Sequence, residues 1–194
     1  ATQQTAPSEP SLSVPNDSPE EFPQVEKLAA AIASTDGFER ANAIGDLLAI
    51  ARDELAPRRA LLPLVPLLVQ NMRDPNPEVR SAAVWTIEAI GPGRGESLQP
   101  LITALKDDHH EVRSGAAKAL RFYASTGQSA LPALVQSLSD PDPRVRQYSA
   151  WTLGEIGPYH KEVVPSLVRA LKDDDEEVRS KAAFNLSVRV RIKR

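Results

Sequence analysis

The sequence predicts an all-α fold, a solenoid of about five helix pairs with a 33-residue repeat. Three observations carry that expectation. Residues of one type recur in fixed register every 33 positions. The composition is rich in Ala and Leu and poor in aromatics, which suits helices. Asn, Asp, Pro and Gly stand at regular places where helices would start and stop.

The period is visible in five columns. Asp74, Asp107, Asp140 and Asp173 are 33 residues apart, and Val79-Arg80, Val112-Arg113, Val145-Arg146 and Val178-Arg179 keep the same spacing. Ile87, Leu120, Leu153 and Leu186 form a third column. Met72, Leu105, Leu138 and Leu171 form a fourth, and Leu68, Leu101, Leu134 and Leu167 a fifth. A period of this length marks a stacked array, in which no unit buries its apolar face alone.

Residues 1–23 read as a disordered arm. Pro7, Pro10, Pro15, Pro19 and Pro23 punctuate it, Ser, Thr and Gln fill the gaps, and its only charges are Glu9, Asp17, Glu20 and Glu21. Residues 24–58 read as a degenerate N-terminal cap repeat. Its helix A is placed at about 24–34, and Phe38-Glu39-Arg40 through Ala43, Leu47 and Ile50 matches helix B at an offset of 40. Repeats at 59–91, 92–124, 125–157 and 158–190 follow, which makes ten helices in five pairs. In each, helix A has apolar residues at helical spacing, as in Leu131, Leu134, Val135 and Leu138, and an acidic turn leads to helix B. The helix-B N-cap column is Asn76, His109, Asp142 and Asp175. The next column is Pro77, His110, Pro143 and Glu176, suited to a first helical position that needs no N–H. Gly91-Pro92 and Gly157-Pro158 should close two of the B helices.

Composition narrows the function. Net charge is −3, and without the four arm acids residues 24–194 carry +1, too little for a nucleic-acid surface. There is no Cys, which removes disulfides and thiol chemistry. No apolar run approaches the roughly 20 residues of a membrane span, and no signal peptide is recognised. The sequence begins Ala1-Thr2-Gln3. Together with the Pro/Ser-rich arm and the lack of Cys, this leans towards a processed, exported protein in a periplasmic or lumenal compartment. No nucleophile–base pair is found, so neither an enzyme nor a cofactor is expected.

Asp140-Pro141-Asp142-Pro143-Arg144-Val145-Arg146, followed by Ala150-Trp151-Thr152-Leu153-Gly154-Glu155-Ile156-Gly157, resembles the HEAT repeats of the phycobilisome-lyase-like class. Asp74 to Gly91 is similar, and the resemblance extends over roughly 60–190. It implies a right-handed α-α superhelix whose B helices line a concave surface. The class includes bilin lyases, antenna-degradation factors and adaptors. The copy at 107–126 departs from the pattern at Arg121, Phe122 and Tyr123, and the last copy at Ser187-Val188-Arg189-Val190. The resemblance also implies a structural ladder along the stack, made by Asp74, Arg80, Asp107, Arg113, Asp140, Arg146, Asp173 and Arg179.

At 100° per residue, Val79, Ala83, Ile87 and Ile90 fall on the core side of the first full helix B, with Ser81, Trp85 and Glu88 opposite. On the concave face that the resemblance implies, the opposite stripe collects Trp85, Lys118, Trp151 and Phe184, flanked by Phe122, Tyr148, Lys181 and Glu155. Five of the chain's nine aromatic residues therefore share one expected surface, and aromatic anchors of this kind bind proteins. The alternative is that they pack between neighbouring B helices. The expected function is a non-catalytic scaffold or adaptor that takes a protein partner in this groove. The alternative is a bilin lyase-type subunit or a chaperone of antenna proteins.

Other motifs read as structural. His109-His110 beside Asp107, Asp108 and Glu111 carry metal-ligating chemistry, but adjacent side chains at a helix start are expected to diverge, which makes a surface turn rather than a site. Asp173 to Glu177 is a solvated acidic helix start. Gly91-Pro92-Gly93-Arg94-Gly95 lacks the ending of a phosphate loop. The basic end Val188 to Arg194 is read as a frayed final helix.

Overall fold

A computed structural model describes residues 23–53, 58–91, 93, 95–157 and 160–192, with the backbone path alone at 23, 24 and 188–192. The arm, apart from Pro23, lies outside the described residues, as do Pro92, Arg94 and Pro158.

The described residues fold into helices and turns. Helix A of the first pair is α1 (Pro23–Ile32) and helix B is α2 (Gly37–Arg52). The second pair opens with a single turn, α3 (Arg58–Leu61), which runs through a 3-10 turn at Leu62–Leu64 into α4 (Val65–Asn71). Pro63 and Pro66 explain the interruption, since neither has an N–H for a continuous ladder. Then come α5 (Pro77–Ile90), α6 (Leu98–Ala104), α7 (His110–Ala119), α8 (Leu131–Ser137), α9 (Pro143–Ile156), α10 (Val163–Ala170) and α11 (Glu176–Ile192). With α3 and α4 counted as one helix A, these are ten helical units in five pairs among the described residues. The B helices α2, α5, α7, α9 and α11 pack each on the next, and each A helix packs on its own B helix.

The helix starts follow the local chemistry. Asn76 accepts from the Glu78 N–H, and Asp142 from those of Arg144 and Val145. Asp175 accepts from the Val178 N–H at 3.1 Å. His109 occupies the same position but makes no side-chain cap. Gly91 ends α5 at φ 112, a backbone region that disfavours a Cβ. Gly157 ends α9 at φ −114, without the left-handed turn. Helix α1 ends at Ile32, two residues short of the expected 34.

The core runs along the stack in the predicted columns. Val79, Val112, Val145 and Val178 are fully buried, as are Leu68, Leu101, Leu134 and Leu167. Burying one such side chain stabilises the fold by about 1.5–3 kcal/mol. Val79, Ala83, Ile87 and Ile90 all lie in the core. Glu88, expected on the open side of the same helix, is buried instead.

Candidate partner-binding surface

Two sets of side chains project from the B helices, one at their N-terminal ends and one along the outer flank, the stripe expected from the sequence to face the concave groove. The first begins with the turn aspartates. Asp74, Asp107, Asp140 and Asp173 each accept, through Oδ1, the N–H of the helix-B cap residue two positions on, at 2.8–2.9 Å. That bond orients each carboxylate towards the preceding repeat, where an arginine meets it. Arg80 donates Nε and Nη2 to Asp107 at 2.8 and 2.9 Å. Arg113 does the same to Asp140 at 2.7 and 3.0 Å, and Arg146 to Asp173 at 2.9 and 2.8 Å. The first rung is Arg40 on Asp74, which sequence reasoning missed because the spacing in the cap repeat is irregular. Asp108 and Asp174 add second acceptors for Arg80 and Arg146.

Each arginine also donates Nη1 to its own turn, as Arg113 does to the carbonyls of Asp107 and Asp108 at 2.9 and 3.0 Å. The guanidinium is thus aimed before the neighbouring repeat arrives. Hydrogen bonding to the paired aspartate holds Arg80, Arg113 and Arg146 above their ordinary range. Burial pushes the Asp107 and Asp173 carboxyls up, but bonds from Arg80 or Arg146, from the turn N–H and from the next aspartate outweigh it. Both titrate below the usual carboxylate range.

The outer flank has no such regularity. Trp85 on α5 is half-buried and lies across α7 beside Gly115, where a Cβ would come within 3.2 Å of the indole. This small residue lets Trp85 reach Tyr148 on α9, edge to face, with ring centroids 6.1 Å apart. Lys118 on α7 sits over both rings, 5.4 Å from Trp85 and 5.7 Å from Tyr148. Its ammonium also pairs with the buried Glu88 at 3.3 Å, and Arg121 meets the same carboxylate at 3.5 Å.

Arg121 leads to the second aromatic group. Its guanidinium lies 4.5 Å from the Phe122 ring and 5.3 Å from the ring of Trp151. Lys181 on α11 lies 5.8 Å from the same Trp151 ring. A half-buried indole is therefore flanked by two cations, an attractive arrangement for a ring face.

Of the expected surface residues, Trp85, Lys118, Phe122, Tyr148, Trp151 and Lys181 are brought into one connected set. Glu155 and Phe184 are exposed and make no ion pair or ring contact among the described residues. The connecting residues Glu88, Arg121 and Gly115 were not singled out as site residues. Their signal was a column that changes from Ala82 to Gly115 to Tyr148 to Lys181, leaving one gap beside a Trp. The pattern break at Arg121-Phe122-Tyr123 has a structural form. Helix α7 stops at Ala119 and continues as a 3-10 turn at Leu120–Tyr123. Tyr123 is buried with its hydroxyl 2.7 Å from that of Ser97, while Phe122 faces out.

His109 and His110 do not diverge as expected. Their ring centroids lie 4.9 Å apart with the planes tilted by 30°, and Asp107 accepts the backbone N–H of His109. Among the described residues no His, Asp and Glu group gathers with metal-holding geometry, and no helix is long and apolar enough to cross a membrane.

Comparison with solved structures agrees with this architecture. An engineered protein from the Northeast Structural Genomics Consortium is 27% identical, with a TM-score of 0.69 over 84% of this chain and 78% of that one. A designed armadillo repeat protein in complex with the peptide (KR)4 is 25% identical, with a TM-score of 0.72 over 84% and 80%. A search of curated proteins finds no significant match. The model of the family described as HEAT repeats matches residues 25–121, 65–138 and 98–187, overlapping segments that together take in most of the sequence, and the chain belongs to that family.

Proposed function

We propose that the protein is a non-catalytic scaffold that binds a segment of a partner protein along the outer flank of its B helices. The observation that carries this reading is the connected set from Trp85 to Lys181, in which aromatic rings and cations alternate and stay half-exposed. Half-buried Trp and Tyr with Arg are the residues on which binding energy concentrates. The family supports the same class of role, since stacked repeats present extended surfaces for partners.

The charge of the flank narrows the occupant. The designed armadillo protein holds a Lys/Arg peptide. Here Lys118, Arg121 and Lys181 already cover the ring faces. Glu88, the carboxylate among them, is consumed by two of those cations. A basic segment would meet like charge, so the occupant is a segment with acidic and apolar side chains.

The chain's two tryptophans both lie in this set, so intrinsic fluorescence reports on it directly. Titration with an Asp/Glu-Leu peptide should shift the emission, and titration with (KR)4 should not. A shift with (KR)4 alone would overturn the charge assignment. A bilin that acquires a shifted visible spectrum on mixing would favour the lyase-type alternative implied by the 140–157 resemblance.

A further inference from the structure

Two cations of the outer flank share one buried carboxylate, and they hold it loosely. The side chain of Glu88 on α5 is 10% exposed, and its Oε1 is met by Lys118 Nζ at 3.3 Å and by Arg121 Nη2 at 3.5 Å. In the inner rungs of the ladder, guanidinium and carboxylate close to 2.7–3.0 Å with both oxygens engaged, the geometry of a strong charged pair. Arg121 shows the deficit directly. Its Nε is buried and has no acceptor among the described residues, although a desolvated N–H without a partner is costly.

Glu88 is also particular to its repeat. The positions 33, 66 and 99 residues on carry Arg121, Gly154 and Ser187, so the stack does not repeat this contact. Packing does not demand a carboxylate there either, since a half-buried Leu48 holds the corresponding place in the first pair. The cations lie nearer to solvent than the acid they share: the side chains of Lys118 and Arg121 are 25% and 34% exposed. Both are already set against rings, Lys118 over Trp85 and Tyr148 and Arg121 beside Phe122 and Trp151. An anion arriving from solvent meets these two cations before it meets Glu88.

We propose that Glu88 is an internal stand-in for a carboxylate of the bound segment. An Asp or Glu side chain of the partner takes Lys118 and Arg121 from it, between the Trp85–Tyr148 and Phe122–Trp151 ring groups. The inference rests on the acidic, apolar occupant proposed above, and it adds where that carboxylate is received and which residue opposes it. A competitor built into the site lowers apparent affinity by the fraction of time it holds the cations. It also selects, because an apolar segment without a carboxylate does not draw the cations away from Glu88.

Calorimetric titration of the full chain with the Asp/Glu-Leu peptide, and with an Asn/Gln-Leu peptide as its uncharged counterpart, tests this. Each variant is first checked for helicity and melting. Glu88→Gln keeps the shape of the side chain and removes the competitor, and Glu88→Leu serves if Glu88→Gln disturbs the fold. Either should bind the acidic peptide about tenfold more tightly than the wild type, with no gain for the uncharged peptide. In a Lys118→Gln background the gain should shrink to about threefold or less, because it passes through that cation. A gain of the same size there is plain relief of like-charge repulsion and overturns the proposal. So does wild-type affinity in a folded Glu88→Gln chain. In both of those cases the flank still binds an acidic segment, and only the role of Glu88 is lost. Failure of the wild type and of both Glu88 variants to bind the acidic peptide overturns the occupant itself, and this inference with it.

Discussion

The turn edge and the outer flank of the same B helices obey different rules. At the turn edge, Arg40, Arg80, Arg113 and Arg146 each bind the aspartate of the next turn, the last three through both carboxylate oxygens and Arg40 through Oδ2 alone. On the outer flank, Trp85, Lys118, Trp151 and Phe184 occupy one column with three residue types, and Leu48, Glu88, Arg121 and Gly154 another with four. A contact made in every repeat belongs to the stack and sets its register, as half-buried ion pairs can do. A contact made once serves something particular to this chain. Damage to the first edge should be read in folding, and damage to the second in recognition.

The largest effect should come from breaking an inner rung. Arg146→Ala strands Asp173, whose side chain is only 10% exposed, beside a second aspartate at 174. The loss should be about 3 kcal/mol in denaturant unfolding, the scale for removing one partner of a buried pair. Arg179→Ala removes the same residue type where no carboxylate among the described residues has to be abandoned, and should cost this chain less than about 1 kcal/mol. Equal losses at the two positions would mean that the carboxylate bond contributes nothing, and the distinction between inner and end rungs would collapse.

A somewhat smaller loss is expected at Gly154. A Cβ there would fall 2.0 Å from the Asn185 side chain, which donates to the Ala150 and Trp151 carbonyls at 2.9 and 3.3 Å. Thr152 on α9 reaches the Ala117 carbonyl at 2.7 Å in the same way. Gly154→Ala should push the Asn185 amide off its buried acceptors and cost about 2 kcal/mol. Asn185→Ser in the same chain should relieve part of it, because the shorter side chain leaves room. If Gly154→Ala melts with the wild type, the outer flank tolerates change even where helices touch.

These two positions also mark how far the sequence could be read. The Asp and Arg columns of the ladder were legible because backbone geometry recurs every 33 residues and leaves the same residues in the same register, while their pairing was what the family resemblance implied. The core columns were legible for the same reason. Gly154 against Asn185, and Gly115 against Trp85, are single fits between side chains of neighbouring repeats, and no period can carry them. Glu88 was placed by helical angle on the open side, yet Lys118 and Arg121 from the next repeat cover it. The angle describes one helix and not what stacks on it. His109 shares a column with good caps, but its side chain makes no cap bond.

Acid should act on the turn edge through Asp107 and Asp173. Asp107 and Asp173 have carboxyls below their ordinary range in the folded chain. A depressed folded-state value means stability that is present above the unfolded value and lost as pH falls through the folded one. The melting midpoint should therefore hold from neutral pH to about 5 and fall below it. Arg146→Ala should flatten part of that fall, since Asp173 then loses its largest favourable partner. An acid profile unchanged in Arg146→Ala would show that other carboxylates set it.

Among the outer-flank substitutions the smallest expected stability effect is at Trp151, and its contrast with Trp85 tests that flank most closely. Both indoles are half-buried. Trp85 lies over Gly115 and against the Tyr148 ring, and so stitches α5, α7 and α9 together. Trp151 is approached by Arg121 and Lys181 and has no ring partner among the described residues. Truncating a fully buried Trp costs about 3–5 kcal/mol. Trp85→Ala should cost about 2 kcal/mol of folding stability, below that scale because the ring is half-exposed. Trp151→Ala should cost about 1 kcal/mol, since what it loses is mainly two cation contacts on an exposed flank. In peptide titration the order should reverse: Trp151→Ala should weaken binding of an acidic, apolar segment by about 2 kcal/mol, the scale of a binding anchor. Removing Trp151 frees Arg121 and Lys181 of their shared ring, so any binding that survives should become more sensitive to salt. If Trp151→Ala instead unfolds the chain as much as Trp85→Ala and binds the peptide unchanged, Trp151 is packing between helices, and the flank from Tyr148 to Lys181 loses its claim as a recognition surface.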